Sequence, residues 1–143
     1  MYGCSFTGTP SNWIIPTSIT TLYIYLNMFT GATLDITDNG LALIYRAYSN
    51  YLTSSGTTTF RKAMSELDIK NQNAVFPTTE IDKFFKAAAD WYQVNAPTAN
   101  CTYNLSGTNM GIPTGGASNV DIVRLNGYYT SAGKTATIII RTS

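Results

Sequence analysis

No histidine occurs in this sequence, which removes the commonest general base and every His-based triad or zinc site. The remaining candidates for acid–base work are carboxylates. Asp35 and Asp38 lie close together, as do Glu66 and Asp68. Glycoside hydrolysis needs two facing carboxyl groups, usually from separate elements. Here each pair sits within one short segment, Asp35 and Asp38 in an outer arc and Asp68 pointing outward from a strand as surface charge. Cys4 and Cys101 have no second Cys or His at metal spacing, and two such distant cysteines make no disulfide framework. No Gly-rich phosphate loop is present. The residue types predict no catalysis, no cofactor and no metal; a hydrolase using Asp35, Asp38 or Asp68 is the enzyme alternative.

Recognition is better supplied. Tyr2, Tyr25 and Tyr48 recur at a spacing of 23, and Asn71 follows in the same register, with Tyr23 and Arg46 beside them. If these residues alternate with core residues on neighbouring strands, they line one sheet face at about 4.8 Å per strand. Stacking alone would stabilise the sheet by about 0.2–1 kcal/mol per pair. Tyrosine is also enriched at interfaces, where its ring buries a large area behind a polar tip. The candidate partner-binding residues are therefore Tyr2, Tyr23, Tyr25, Arg46, Tyr48, Asp68 and Asn71, and the partner is a protein or a surface glycan.

The elements that would position this row come from an internal repeat. Asn27, Asn50 and Asn73 are 23 residues apart, and Cys4 stands 23 before Asn27. Phe6, Phe29, Leu52 and Val75 follow each of them by two. Upstream, Ile19, Leu22, Ile24, Asn27 and Phe29 fit the pattern L-x-x-L-x-L-x-x-N/C-x-L. Ala42, Tyr45, Ala47, Asn50 and Leu52 repeat its spacing. Met64, Leu67, Ile69 and Asn73 repeat it with one extra residue before the Asn, read as a bulge. Each unit is then one short strand and a return arc, with Leu22 and Ile24 entering the core. Cys4, Asn27, Asn50, Asn73 and Asn109 are expected as a buried structural ladder whose side chains satisfy main-chain groups.

Past residue 76 the pattern changes. Thr78, Thr79 and acidic Glu80 and Asp82 open a helix with Thr near its N-cap, and Ile81, Phe84, Phe85, Ala88, Trp91 and Tyr92 give it an apolar face to about residue 95. Cys101, Tyr103 and Leu105 alternate as a fourth strand, with Asn109 four residues on. A second helix runs from Ser118 to about Ala132, burying Ile122, Val123, Leu125 and Tyr129, and Gly133 stops it. Thr135–Ile140 is the last strand. The division is 1–76, repeat units of period 23, and 77–143, a helix-bearing last repeat and a C-terminal cap within one continuous domain.

The repeat pattern resembles the leucine-rich repeat, which also admits Cys at the Asn position. Residues 64–143, with Cys101–Gly107, the Pro113–Gly116 loop and a helix ending Ala132-Gly133-Lys134-Thr135, resemble terminal modules of phage tail and structural proteins and of bacterial surface proteins. The resemblance implies an α/β, leucine-rich-repeat-like solenoid with a parallel sheet of about five strands and a C-terminal helix–strand cap. It also implies a noncatalytic binding or adhesion role on a virion or bacterial cell surface, with a structural assembly subunit as the alternative.

Charge and hydropathy narrow the partners. Nine basic and eight acidic residues form no cluster, so the sequence disfavours nucleic acid. No apolar run reaches the roughly 18 residues of a membrane span. Met1-Tyr2-Gly3-Cys4 carries neither a basic n-region nor an apolar h-region, so no signal peptide is read here. Met1 aligns with Ile24 and Ala47, which starts the chain in mid-strand. Self-association or docking on another chain is expected at that N-terminal edge.

Overall fold

Alternation of inward and outward residues sets the strands, and the computed structural model describes them over residues 3–10, 13, 16, 18–32, 43–54 and 60–143. The protein is α/β. Five strands, β2 (Thr21–Tyr23), β4 (Leu43–Arg46), β6 (Met64–Asp68), β7 (Cys101–Leu105) and β8 (Ala136–Ile140), lie in that order in one sheet. All neighbours run parallel. A second sheet of β1 (Thr7–Gly8), β3 (Met28–Ala32) and β5 (Tyr51–Ser54) is parallel too. Successive units thus give one strand to each sheet, until helices α1 (Thr78–Val94) and α2 (Val120–Ser131) follow β6 and β7 instead.

The second sheet departs from the repeat pattern, which predicts return arcs for those segments. Its signal is the period-two pattern in which Phe29 and Leu52 are buried between exposed Met28 and Thr30, and between Tyr51 and Thr53. Ile24, Tyr45, Ala47, Leu67 and Ile69 are buried in the core, whereas Leu22, on the outermost strand, is only half-buried.

Buried amides tie the units together. Asn27 Nδ2 donates to the Ile24 and Tyr25 carbonyls, and its Oδ1 accepts from the Cys4 and Phe6 amides. Asn50 donates to the Ile24 and Ala47 carbonyls and accepts from Phe29 N. In the third unit this place belongs to Gln72, not Asn73. Gln72 donates to Ala47 O and Ile69 O and accepts from Leu52 N, whereas Asn73 is exposed and reaches Ser49 O.

The local geometry explains the exchange. Gly3, Leu26, Ser49 and Asn71 all have positive φ (62°, 57°, 56° and 50°), so each unit makes the same left-handed turn and the ladder side chain follows directly. From Ser49 to Asn71 the interval is 22 residues, not 23. No bulge separates Ile69 from its ladder residue; the irregularity lies earlier, where Leu43 pairs with Met64 and Ile44 with Glu66.

Two other ladder assignments are corrected. The Cys4 side chain is exposed, because it belongs to the outermost unit with no strand beyond it among the described residues. Asn109 is exposed as well, its Nδ2 meeting the Gln72 carbonyl at 2.9 Å.

The helices close the core. α1 follows Pro77, which caps it without a side-chain hydrogen bond, so no Thr fills that place; it buries Ile81, Phe84, Phe85, Ala88, Ala89 and Tyr92. Asn119 caps α2 by accepting from the Asp121 and Ile122 amides. α2 buries Ile122, Leu125 and Tyr129, but Val123 points to solvent, 57% exposed. It lies a quarter-turn off the stripe that those three residues form. Gly133, at φ 67°, ends the segment after α2.

Candidate functional site

The outward residues of the five-stranded sheet form one connected array. Strand register places Tyr23 beside Arg46, Arg46 beside Asp68, and Asp68 beside Asn104. One residue pair further on, Leu26 N donates to Tyr48 O and Ser49 N to Lys70 O, which aligns Tyr25, Tyr48 and Lys70 in a second row.

Tyr25 and Tyr48 stack with centroids 4.4 Å apart and planes within 8°. The Lys70 amine lies 5.0 Å over the Tyr48 ring, so both faces of Tyr48 are covered. Arg46 lies 4.9 Å over the Tyr23 ring, and Tyr23 tilts against Tyr25 at 5.8 Å. Arg46 also grips Glu66 through two parallel bonds, Nε–Oε1 at 2.7 Å and Nη2–Oε2 at 2.9 Å. Lys70 Nζ meets Asp68 Oδ2 at 3.1 Å, while the Lys70 amide donates to Oδ1.

Electrostatics follow from this packing. The Glu66 carboxylate raises the Arg46 guanidinium pKa further above its already high ordinary value. Loss of water contact, with Tyr25 next to it, pushes the Tyr48 phenol up. Burial pushes the Asp68 carboxyl up, and the bonds from Lys70 pull against that shift. Asp68 is only 5% exposed, so it is less a surface charge than the floor of the array.

Of the expected binding residues, the structure brings together Tyr23, Tyr25, Arg46, Tyr48 and Asp68. Asn71 is not in the row. It sits at the positive-φ turn, its amide donates to Ser106 O, and Gly107 packs against it. Lys70 holds the row position because the third unit is one residue short. Tyr2 lies outside the described residues, as do Met1, Asp35 and Asp38. The 23-residue spacing does not point to Lys70, to Glu66 as the partner of Arg46, or to Gln72. Alternation counted forward from buried Ile69 marks Lys70 as outward and would have found it.

Glu66 and Asp68 are each bound to a cation. Burial pushes the Cys101 thiol up to about 12, which keeps it protonated and unreactive at neutral pH. Among the described residues no three His, Cys, Asp or Glu side chains gather as a metal site, and no helix is long and apolar enough to cross a membrane. Compared with known proteins, the chain matches no family model, no curated protein and no solved structure.

Proposed function

We propose that this chain is a noncatalytic binding module, a leucine-rich-repeat-like solenoid that recognises a protein partner through the outer face of its five-stranded sheet, at a virion or bacterial cell surface. The observation that carries the choice of protein over glycan is the closed Tyr25–Tyr48–Lys70 stack. Sugars dock on free aromatic faces, but both faces of Tyr48 are already covered and Tyr23 carries Arg46. The array offers ring edges, phenol hydroxyls and paired charges, the mixed polar and aromatic surface of protein interfaces.

A second feature supports the same reading. Leu26 directly follows Tyr25 and is 51% exposed at φ 57°, a conformation that costs a non-glycine residue. An exposed Leu there adds nothing to the core and offers apolar surface next in sequence to Tyr25.

The test pans a displayed random-peptide library on the protein, counter-selects on the Tyr25→Ala/Tyr48→Ala variant, and runs a glycan array in parallel. Peptides that bind the protein and lose binding to the folded variant support the reading. Glycans whose binding depends on these tyrosines would replace it with the sugar reading. Absence of any tyrosine-dependent binder would leave stacking as the array's role. The runner-up, an assembly subunit, is favoured by the β8 edge, which has no strand beyond it among the described residues.

A further inference from the structure

We infer that the free edge of β8 pairs antiparallel with β8 of a second copy of this chain, about a two-fold axis at Ile138. Among the described residues β8 has one strand neighbour, β7. Cys101 N donates to the Thr135 carbonyl at 3.0 Å, so that carbonyl faces β7. Main-chain groups alternate along a strand. Those of Thr137 and Ile139 therefore also face β7, and those of Ala136, Ile138 and Ile140 face outward with no strand to receive them.

The side chains tell the same story. On β7, Tyr103 and Leu105 are 0% exposed, whereas on β8 Ala136, Ile138 and Ile140, which point to the same layer, are only half-buried. Ile139 on the outer face and Val123 on α2 are both exposed. Segment Ala136–Ile140 contains no charge, no proline and no register shift, the devices that normally blunt an edge.

A second copy fits because this edge is its own complement. Antiparallel pairing centred on Ile138 places Ile138 opposite its counterpart and Ala136 opposite Ile140, small against large. Every outward N–H and C=O then finds a partner. Lys134 and Arg141 fall just outside the paired segment. Such a contact uses the same patch on both copies and closes with two. It merges two five-stranded sheets into one and brings the two α2 helices to the same side. Stable interfaces start near a total of about 1,200 Å², and one five-residue edge by itself buries less than that, so the dimer is expected to dissociate on dilution.

The test is sedimentation over a dilution series, with amide hydrogen exchange at both ends of it. The mass is expected to double at high concentration, with amides of Ile138 and Ile140 protected there and unprotected on dilution. Ile139→Lys, on the outer face, and Ile138→Pro, which removes an outward N–H, are each expected to abolish the dimer while the thermal melt stays cooperative. If the proline variant does not fold, Ile139→Lys decides alone. A protein that stays monomeric throughout overturns the inference, as does a dimer that persists in folded Ile139→Lys, or growth beyond two copies.

Discussion

Gln72 Oε1 accepts the Leu52 amide at 3.1 Å, and one unit earlier Asn50 Oδ1 accepts the Phe29 amide at 3.3 Å. Each carboxamide also donates to carbonyls of its own unit and to one in the preceding unit. These side chains therefore join consecutive units at a depth that water does not reach. Asn50→Ala and Gln72→Ala should each cost about 1–3 kcal/mol, because buried main-chain groups lose their partners. Asn73→Ala should stay within about 0.5 kcal/mol, as surface changes do. Urea melts decide, and equal losses at residues 72 and 73 would remove the ladder assignment.

How much of this was legible varies with the residue. Ile24, Ala47 and Ile69 could be read as core because two apolar positions, two apart, recur before each turn. Asn27 and Asn50 could be read as ladder residues from their spacing. Gln72 could not, because a strict 23-residue count led past it to Asn73, and a sequence does not show where a repeat drops a residue. The same slip put Asn71 in place of Lys70. Geometry corrects both: the left-handed turn at Asn71 is what fixes the register, and φ is not written in the residue type when Gly, Leu, Ser and Asn all serve. Cys4 failed differently. Its register was right, but burial depends on a neighbour beyond it.

Leu26 should trade stability for binding. Leu26→Gly relieves a left-handed residue of its Cβ strain, for which about 1 kcal/mol is typical, while deleting an exposed apolar side chain. The variant is expected to melt at a higher temperature and to bind tyrosine-dependent peptides more weakly. Higher stability with unchanged binding would remove Leu26 from the recognition surface.

Lys70 should matter through two neighbours. Its amine covers Tyr48 and neutralises Asp68. Lys70→Met keeps the chain length and removes the charge, leaving Asp68 without its cation. A loss of about 1–2 kcal/mol is expected at neutral pH, with most of it recovered in Lys70→Met/Asp68→Asn. Strictly additive effects in this double-mutant cycle would mean the two side chains do not interact.

Asp68 also gives a pH dependence with a definite sign. Its folded carboxyl titrates above the ordinary 3.8, chiefly because burial disfavours the charge. The folded state thus holds the proton more tightly than the unfolded chain. The stability contributed by this group is fully present below about 3.8 and is lost as pH rises through the folded value. Asp90, held low by Lys86 and Arg124 at the surface, works in the opposite sense, losing its contribution as pH falls through its lowered value. Comparing the protein with Asp68→Asn isolates the first term. The variant's relative stability should rise with pH just above about 3.8 and level off above the folded value. A difference that does not change with pH across that window would contradict the assigned shift.

Gly107 is where the end of β7 meets the turn of the preceding unit, and its lack of a side chain is a packing requirement. A Cβ there would lie 2.2 Å from Asn71 Oδ1 and 2.8 Å from Asn71 N, and the residue sits at φ 122°, outside the range of L side chains. Gly107→Ala must therefore move main chain in the turn after β6 or the turn after β7, and it should destabilise by more than about 3 kcal/mol. Asn71→Gly removes the Oδ1 clash but not the main-chain one, so the double variant should recover only part of the loss. By contrast, Gly127 on α2 has nothing within 4 Å of its Cβ position. Gly127→Ala should stabilise the helix by about 0.5–1 kcal/mol. Thermal melts of the four proteins test the contrast, and a Gly107→Ala protein as stable as the parent would show that the close approach of these two turns is not what holds the fourth strand in place.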